Sequence, residues 1–240
     1  MKALVSEFIN YMAVERGLAK NTLSAYTLDL EKYLDFLSQR KVKAPDAVSR
    51  EEITNFMMSL KKNGMSATSI CRHLAAVKMF HRFLVRENFS KEDPTTLVDT
   101  PKLFKRIPDV LTQKEIDAML EIALKGGAKK KRDYVILELF YASGMRVSEM
   151  VELKLISVNL DVGFVRVIGK GSKERLVPIG RKAREALAHY YEKVRPKLIK
   201  STQTDSLFLS QLGKKLSRQS IWTIIKNYAK LAGIKKNIKP

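Results

Sequence analysis

The stretch Leu139–Leu153, LFYASGMRVSEMVEL, decides the reading of this chain. Ahead of it Tyr134, Val135, Leu137, Leu139 and Phe140 form an apolar helical run, which Ser143 and Gly144 interrupt before Val147, Met150, Val151 and Leu153 resume it. Arg146 therefore opens a second helix just past a break. Free backbone N–H groups and the positive end of a helix dipole suit that locality to an anion such as phosphate. Glu149 falls three residues on, on the same face, where it can orient the guanidinium. By itself Arg-x-x-Glu on a helix is more often a surface ion pair.

Downstream lies Phe164–Ile179, FVRVIGKGSKERLVPI. Val165, Val167 and Ile168 make one β-rich run and Leu176, Val177 and Ile179 another, with Gly169, Lys170, Gly171 and Ser172 as turn chemistry between them. This predicts a hairpin with Lys170 at or beside its tip. A lysine between glycines sits on backbone that can approach a ligand closely, and its ammonium can donate a proton to a leaving oxygen. A solvated turn lysine fits the same residues. The G-x-x-x-x-G-K-[ST] loop of phosphate-binding ATPases is absent.

Together SGMRVSEMVEL and VRVIGKGSKERLVPIG closely resemble the tyrosine site-specific recombinases, and among them the XerC/XerD-like chromosome-resolution enzymes. The likeness extends back through RGLAKNTLSAYTLDLEKYLDFL and forward through RQSIWTIIKNYAKLAGI, almost the whole chain. It implies a mainly α fold with a small antiparallel β-sheet: a helical, SAM-like core-binding domain, then an α+β catalytic domain. In the family a tyrosine attacks the scissile phosphodiester, leaving a 3′-phosphotyrosine and a free 5′-hydroxyl that attacks the partner strand. Bond energy is conserved, so the resemblance implies neither cofactor nor metal. It makes Arg146 the first arginine of the phosphate clamp, Lys170 the general acid and Glu149 the orienting carboxylate.

The family continues after its AGI-type helix end with His-x-x-Arg, a further His or Trp, and the nucleophilic tyrosine, whereas these 240 residues close on Ile238-Lys239-Pro240. The expectation is an incomplete catalytic domain that binds DNA without cutting it, with all eight tyrosines structural and no nucleophile in the chain. A non-catalytic module that occupies recombination sites is the alternative. A further expectation is an exposed apolar face on Trp222, Ile225 and Tyr228.

Composition agrees with a polyanionic partner. Lysine and arginine number 45 against 25 acidic residues, a net charge of +20. The excess is uneven: 18 basic and 13 acidic residues run through Val110, and 27 and 12 follow. The partners implied are double-stranded DNA and further recombinase protomers, tetrameric on two sites in the family. No apolar run approaches a membrane span and no signal peptide stands at the start, so no membrane partner is expected. Cys71 is the single cysteine, which excludes an intrachain disulfide and suits a cytoplasmic location.

Along the chain, helical stripes occupy residues 1–90, with Asn21 or Thr22 expected to cap the second helix, Ser49 and Glu52 to form a capping box, and Ser66 to open the fourth. Residues 91–111, with Pro94, Pro101 and Pro108 and the charges Lys102, Lys105 and Arg106, read as a basic linker. The catalytic domain spans 112–240. Thr112 and Glu115 form its opening capping box, and the basic run Lys129–Arg132 is expected to precede the helix leading to Arg146. Arg181–Lys193 reads as a helix, Leu207–Leu209 as a short strand, and Ser217 as the cap of the last helix. By resemblance, Lys20, Asn21, Thr22, Ser24, Ser66, Thr68 and Arg72 at two helix starts are candidate DNA contacts, with Lys173, Arg175, Arg218 and Gln219 in the second domain. Ordinary capping and solvation account for the same residue types.

Overall fold

The computed structural model describes residues 1–101, 109–169, 173–200 and 204–238. Two compact units divide the chain, Met1–Arg106 and Ile107–Pro240.

The first unit is built on α1 (Lys2–Val14), α2 (Lys20–Gln39), α3 (Arg50–Lys62) and α4 (Ala67–Arg86). Their apolar stripes meet in one core, where Phe8, Leu30, Tyr33, Phe56, Leu74, Phe80 and Leu84 are buried. Phe80 stands edge-on to Phe8 with centroids 5.6 Å apart. Ser66 caps α4 by accepting from the Ser69 N–H. Ala19, not Asn21 or Thr22, occupies the cap position of α2, because the helix already begins at Lys20. Ser49 accepts from the Glu52 N–H, but the box is half-formed: the Glu52 carboxylate turns to Arg40 Nε at 2.5 Å. Part of the stretch read as linker lies along this unit, with Thr95 and Val98 buried and Lys78 Nζ donating to the Val98 carbonyl at 2.6 Å. The linker charges Lys102, Lys105 and Arg106, and Pro108, lie outside the described residues.

In the second unit α5 (Gln113–Leu124) opens with the expected reciprocal box of Thr112 and Glu115. The next helix, α6 (Ala128–Ser143), starts before the Lys129–Arg132 run and includes it. The reason is burial: Arg132 forks onto Asp133 at 2.9 and 2.6 Å and donates to the Leu209 carbonyl at 2.8 Å. Gly144 ends α6 in the left-handed region, φ 57°. There follow α7 (Val147–Glu152) and an antiparallel sheet of β1 (Val158–Asn159), β2 (Phe164–Ile168) and β3 (Glu174–Pro178), in the order β1-β2-β3. The two residues of β1 are too few to leave a periodic signal in the sequence.

Arg181–Lys193 is not one uniform helix. It divides into α8 (Arg181–His189) and a wider π turn, Tyr190–Val194. Leu207–Leu209 forms no strand; single bridges pair Ser206 with Lys154 and Leu209 with Lys215. These residues are nevertheless buried, held by the Tyr190 hydroxyl donating to the Leu207 carbonyl at 3.0 Å and by Arg195 Nη2 donating to the Ser206 carbonyl at 2.9 Å. Ser217 caps α9 (Arg218–Leu231) as expected. Ile225 and Tyr228 are buried in the core of the unit, so of the expected apolar face on α9 only Trp222 is open, 41% exposed. Lys226 lies 5.4 Å over its ring.

Candidate DNA-phosphate site

Arg146 occupies the residue before α7, with extended backbone at φ −75° and ψ 151°. The left-handed turn at Gly144 throws the chain out of α6 and lets α7 restart in a new direction one residue past Met145. Glu149, one turn in, reaches back. Its Oε2 accepts the Arg146 backbone N–H at 2.9 Å and its Oε1 accepts Arg146 Nη1 at 3.0 Å. The helix start is thus closed by the chain's own carboxylate, and the anion preference sits on the guanidinium. The Arg146 side chain is 72% exposed, while the Glu149 side chain that holds it is 3% exposed.

A second arginine completes the arrangement from the sheet. Val167 of β2 pairs directly with Arg175 of β3, so Arg175 shares the face of the buried Val165 and Val167, which turns toward α7. Its fork meets Glu149 in both oxygens, Nη1 to Oε1 at 2.7 Å and Nη2 to Oε2 at 2.7 Å. Arg175 hydrogen bonds, with help from Arg146, hold the Glu149 carboxyl at about 2 against the burial that raises it. At the base of the hairpin turn the Gly169 N–H donates to the Lys173 carbonyl at 2.8 Å. A methyl group on Gly169 would stand 3.4 Å from Arg175 Nη1 and 3.6 Å from Glu149 Oε1. Gly169, just past the end of β2, therefore lies directly beside the ion pair. Lys170, Gly171 and Ser172 lie outside the described residues, so Lys170 is fixed here only as the residue that follows Gly169.

The remaining candidates fall in separate places. Arg218 and Gln219 are the exposed first residues of α9, and Lys173 is exposed beside the hairpin turn. In the first unit, Arg72 of α4 donates to the Ala25 carbonyl of α2 at 3.3 Å and to Asp29 Oδ2 at 2.5 Å. This tie brings the start of α4, with exposed Ser66 and Thr68, beside the start of α2, with exposed Lys20, Asn21 and Ser24 and half-buried Thr22. Asp29 is buried, which raises its carboxyl although His73 and Arg72 oppose the shift. Sequence reading did not single out Asp29 or the two-oxygen grip of Arg175; each depends on a partner more than twenty residues away.

The sequence pattern of the phage integrase family matches residues 109–240. This chain belongs to the phage integrase family. The family's N-terminal SAM-like domain matches residues 5–88 of this integrase. Over all 240 residues it is 44% identical to "Tyrosine recombinase XerD" of Staphylococcus epidermidis and to that of Staphylococcus aureus strain N315, spanning 81% of each relative's length. The XerC/XerD-like tyrosine-recombinase resemblance is thereby borne out. Solved structures share the integrase fold. A lambda integrase (75–356) dimer bound to a COC' core site aligns with TM-score 0.74 at 18% identity, covering 97% of this chain and 78% of that one. A XerH recombinase bound to difH before cleavage aligns with TM-score 0.73 at 19% identity, covering 98% and 70%. The mainly helical fold with one small antiparallel sheet is as expected.

Proposed function

We propose that this integrase serves site-specific strand exchange of the Xer kind, on double-stranded DNA and together with further copies of a recombinase. Its membership of the tyrosine recombinases and its 44% identity to XerD support the reaction class. The observation that carries the site is Arg146, an exposed guanidinium fixed from behind by a buried carboxylate. A phosphate in transesterification gathers charge on its non-bridging oxygens, and a pre-oriented cation stabilises that charge without reorganising during the step. Arg146 takes this role, Glu149 orients it, and Lys170 protonates the departing 5′-oxygen. Lys20, Asn21, Thr22, Ser24, Ser66, Thr68 and Arg72 supply backbone contacts from the first unit, and Lys173, Arg218 and Gln219 from the second. The cytoplasm, where chromosomal DNA lies, is the proposed location. Among the described residues no helix is long and apolar enough to cross a membrane.

The 240 residues bind duplex DNA and form no covalent link to it, because transesterification needs an attacking oxygen in line with the leaving one and the family supplies it from a motif absent here. Incubating the chain with a nicked duplex that traps cleavage, then denaturing, tests both parts. Retarded DNA before denaturation and free DNA after it is the expected pair of results. A covalent band would place the nucleophile among the eight tyrosines present, and absence of retardation would remove the DNA reading.

A further inference from the structure

Glu149 faces two guanidiniums with a single charge, and the two are not held alike. Arg175 meets the carboxylate with two parallel bonds of 2.7 Å, the strongest geometry an arginine can make with it. Arg146 touches it through one nitrogen at 3.0 Å, which leaves the rest of its fork in solvent. A carboxylate this buried needs compensation. We propose that Arg175 is the positioning residue that supplies it: by satisfying Glu149, Arg175 leaves the charge of Arg146 free for a DNA phosphate. Arg175 then makes no DNA contact of its own. The inference rests on the proposed phosphate role of Arg146 and adds to it a named reason why that arginine is available.

The consequence is a definite failure when Arg175 is lost. With Gln at 175 the ionised Glu149 keeps one partner, Arg146, whose exposed side chain is free to swing fully onto it and away from the phosphate. Removing the carboxylate as well releases Arg146 again. A direct phosphate contact by Arg175 predicts the opposite, since deleting a carboxylate cannot restore a lost contact.

The test measures binding of the 240-residue chain to a fluorescein-labelled mixed-sequence duplex across a salt series. Arg146→Ala is expected to weaken binding about tenfold, as for loss of one charge-assisted bond, and to lower the log–log salt slope by about one. Arg175→Gln is expected to match it on both readouts. Arg175→Gln/Glu149→Gln is expected to regain most of the lost affinity but not all of it, since Arg146 is then free yet no longer held by a carboxylate, whereas Arg175→Gln/Glu174→Gln, which restores the same net charge on the exposed side of β3, regains none. Rescue by Glu149→Gln alone among the two supports the proposal. Rescue by both, rescue by neither, or full affinity in Arg175→Gln overturns it. An Arg146→Ala that binds normally overturns the phosphate role itself, a result separable from the others. Trp222 fluorescence confirms folding of each variant, and if Arg175→Gln unfolds, Arg175→Lys with and without Glu149→Gln is compared in the same way.

Discussion

Arg132→Met tests how far the second unit depends on one buried charge pair. Arg132 and Asp133 side chains are each 4% exposed, Tyr228 of α9 donates to Asp133 Oδ2 at 3.3 Å, and burial raises the Asp133 carboxyl in spite of Arg132. Removing the arginine strands a buried carboxylate and the Leu209 carbonyl, a loss of about 3–5 kcal/mol. With a urea sensitivity of roughly 2 kcal/mol per molar for a unit of this size, the unfolding midpoint falls by roughly 1.5–2.5 M. The chain carries its own reporter, since Trp222 is the single tryptophan and lies on α9 of the second unit. Its fluorescence in urea follows that unit without a signal from the first. Arg132→Met/Asp133→Leu removes both charges and is expected to regain most of the loss. A midpoint within roughly 0.5 M of the unaltered chain in Arg132→Met would refute the reasoning.

Three further outcomes follow from the same geometry. Tyr190→Phe leaves the Leu209 N–H, now 3.4 Å from that hydroxyl, without its acceptor, and should cost about 1–2 kcal/mol in the Trp222 transition. Gly144→Ala meets no atom within 4 Å but must hold φ +57°, so about 1–2 kcal/mol of backbone cost should appear in urea melts; no loss would mean that the turn relaxes. Glu149 titrates near 2 in the folded chain against an ordinary 4.5, so it contributes stability that is complete above pH 4.5 and fades as pH falls toward 2. Acid melts of Glu149→Gln should therefore lack that part of the pH dependence, and superimposable acid curves for the two chains would contradict the assignment.

Local grammar made much of this molecule readable. The Thr112–Glu115 box, the Ser66 and Ser217 caps and the Arg146–Glu149 pair all close within four residues, so spacing alone reveals them. Where a distant partner competes, spacing misleads: Glu52 has the right offset for Ser49, yet Arg40 takes its carboxylate. The basic run Lys129–Arg132 reads as lying ahead of the helix because three of its four members are lysines, and nothing local says that the fourth side chain turns inward to Asp133. Arg175 did leave a trace. It shares a face of β3 with Val177 and sits opposite Val167, so a correct hairpin register would have placed a charge on the inward face and asked for its partner. That register is not legible from the apolar pattern alone, because Glu174, Arg175 and Leu176 break the alternation on β3.

The two ends of the second unit are stitched together. Lys236 Nζ donates to the Val110 carbonyl at 3.0 Å and to Glu115 Oε2 at 2.7 Å, and the Asn237 N–H donates to Asp109 Oδ2 at 3.3 Å. Residues 109–110 and 236–237 are therefore held side by side at the start of α5. In mechanical terms, a pull applied at 109 and 237 loads these few surface bonds before any force reaches the core.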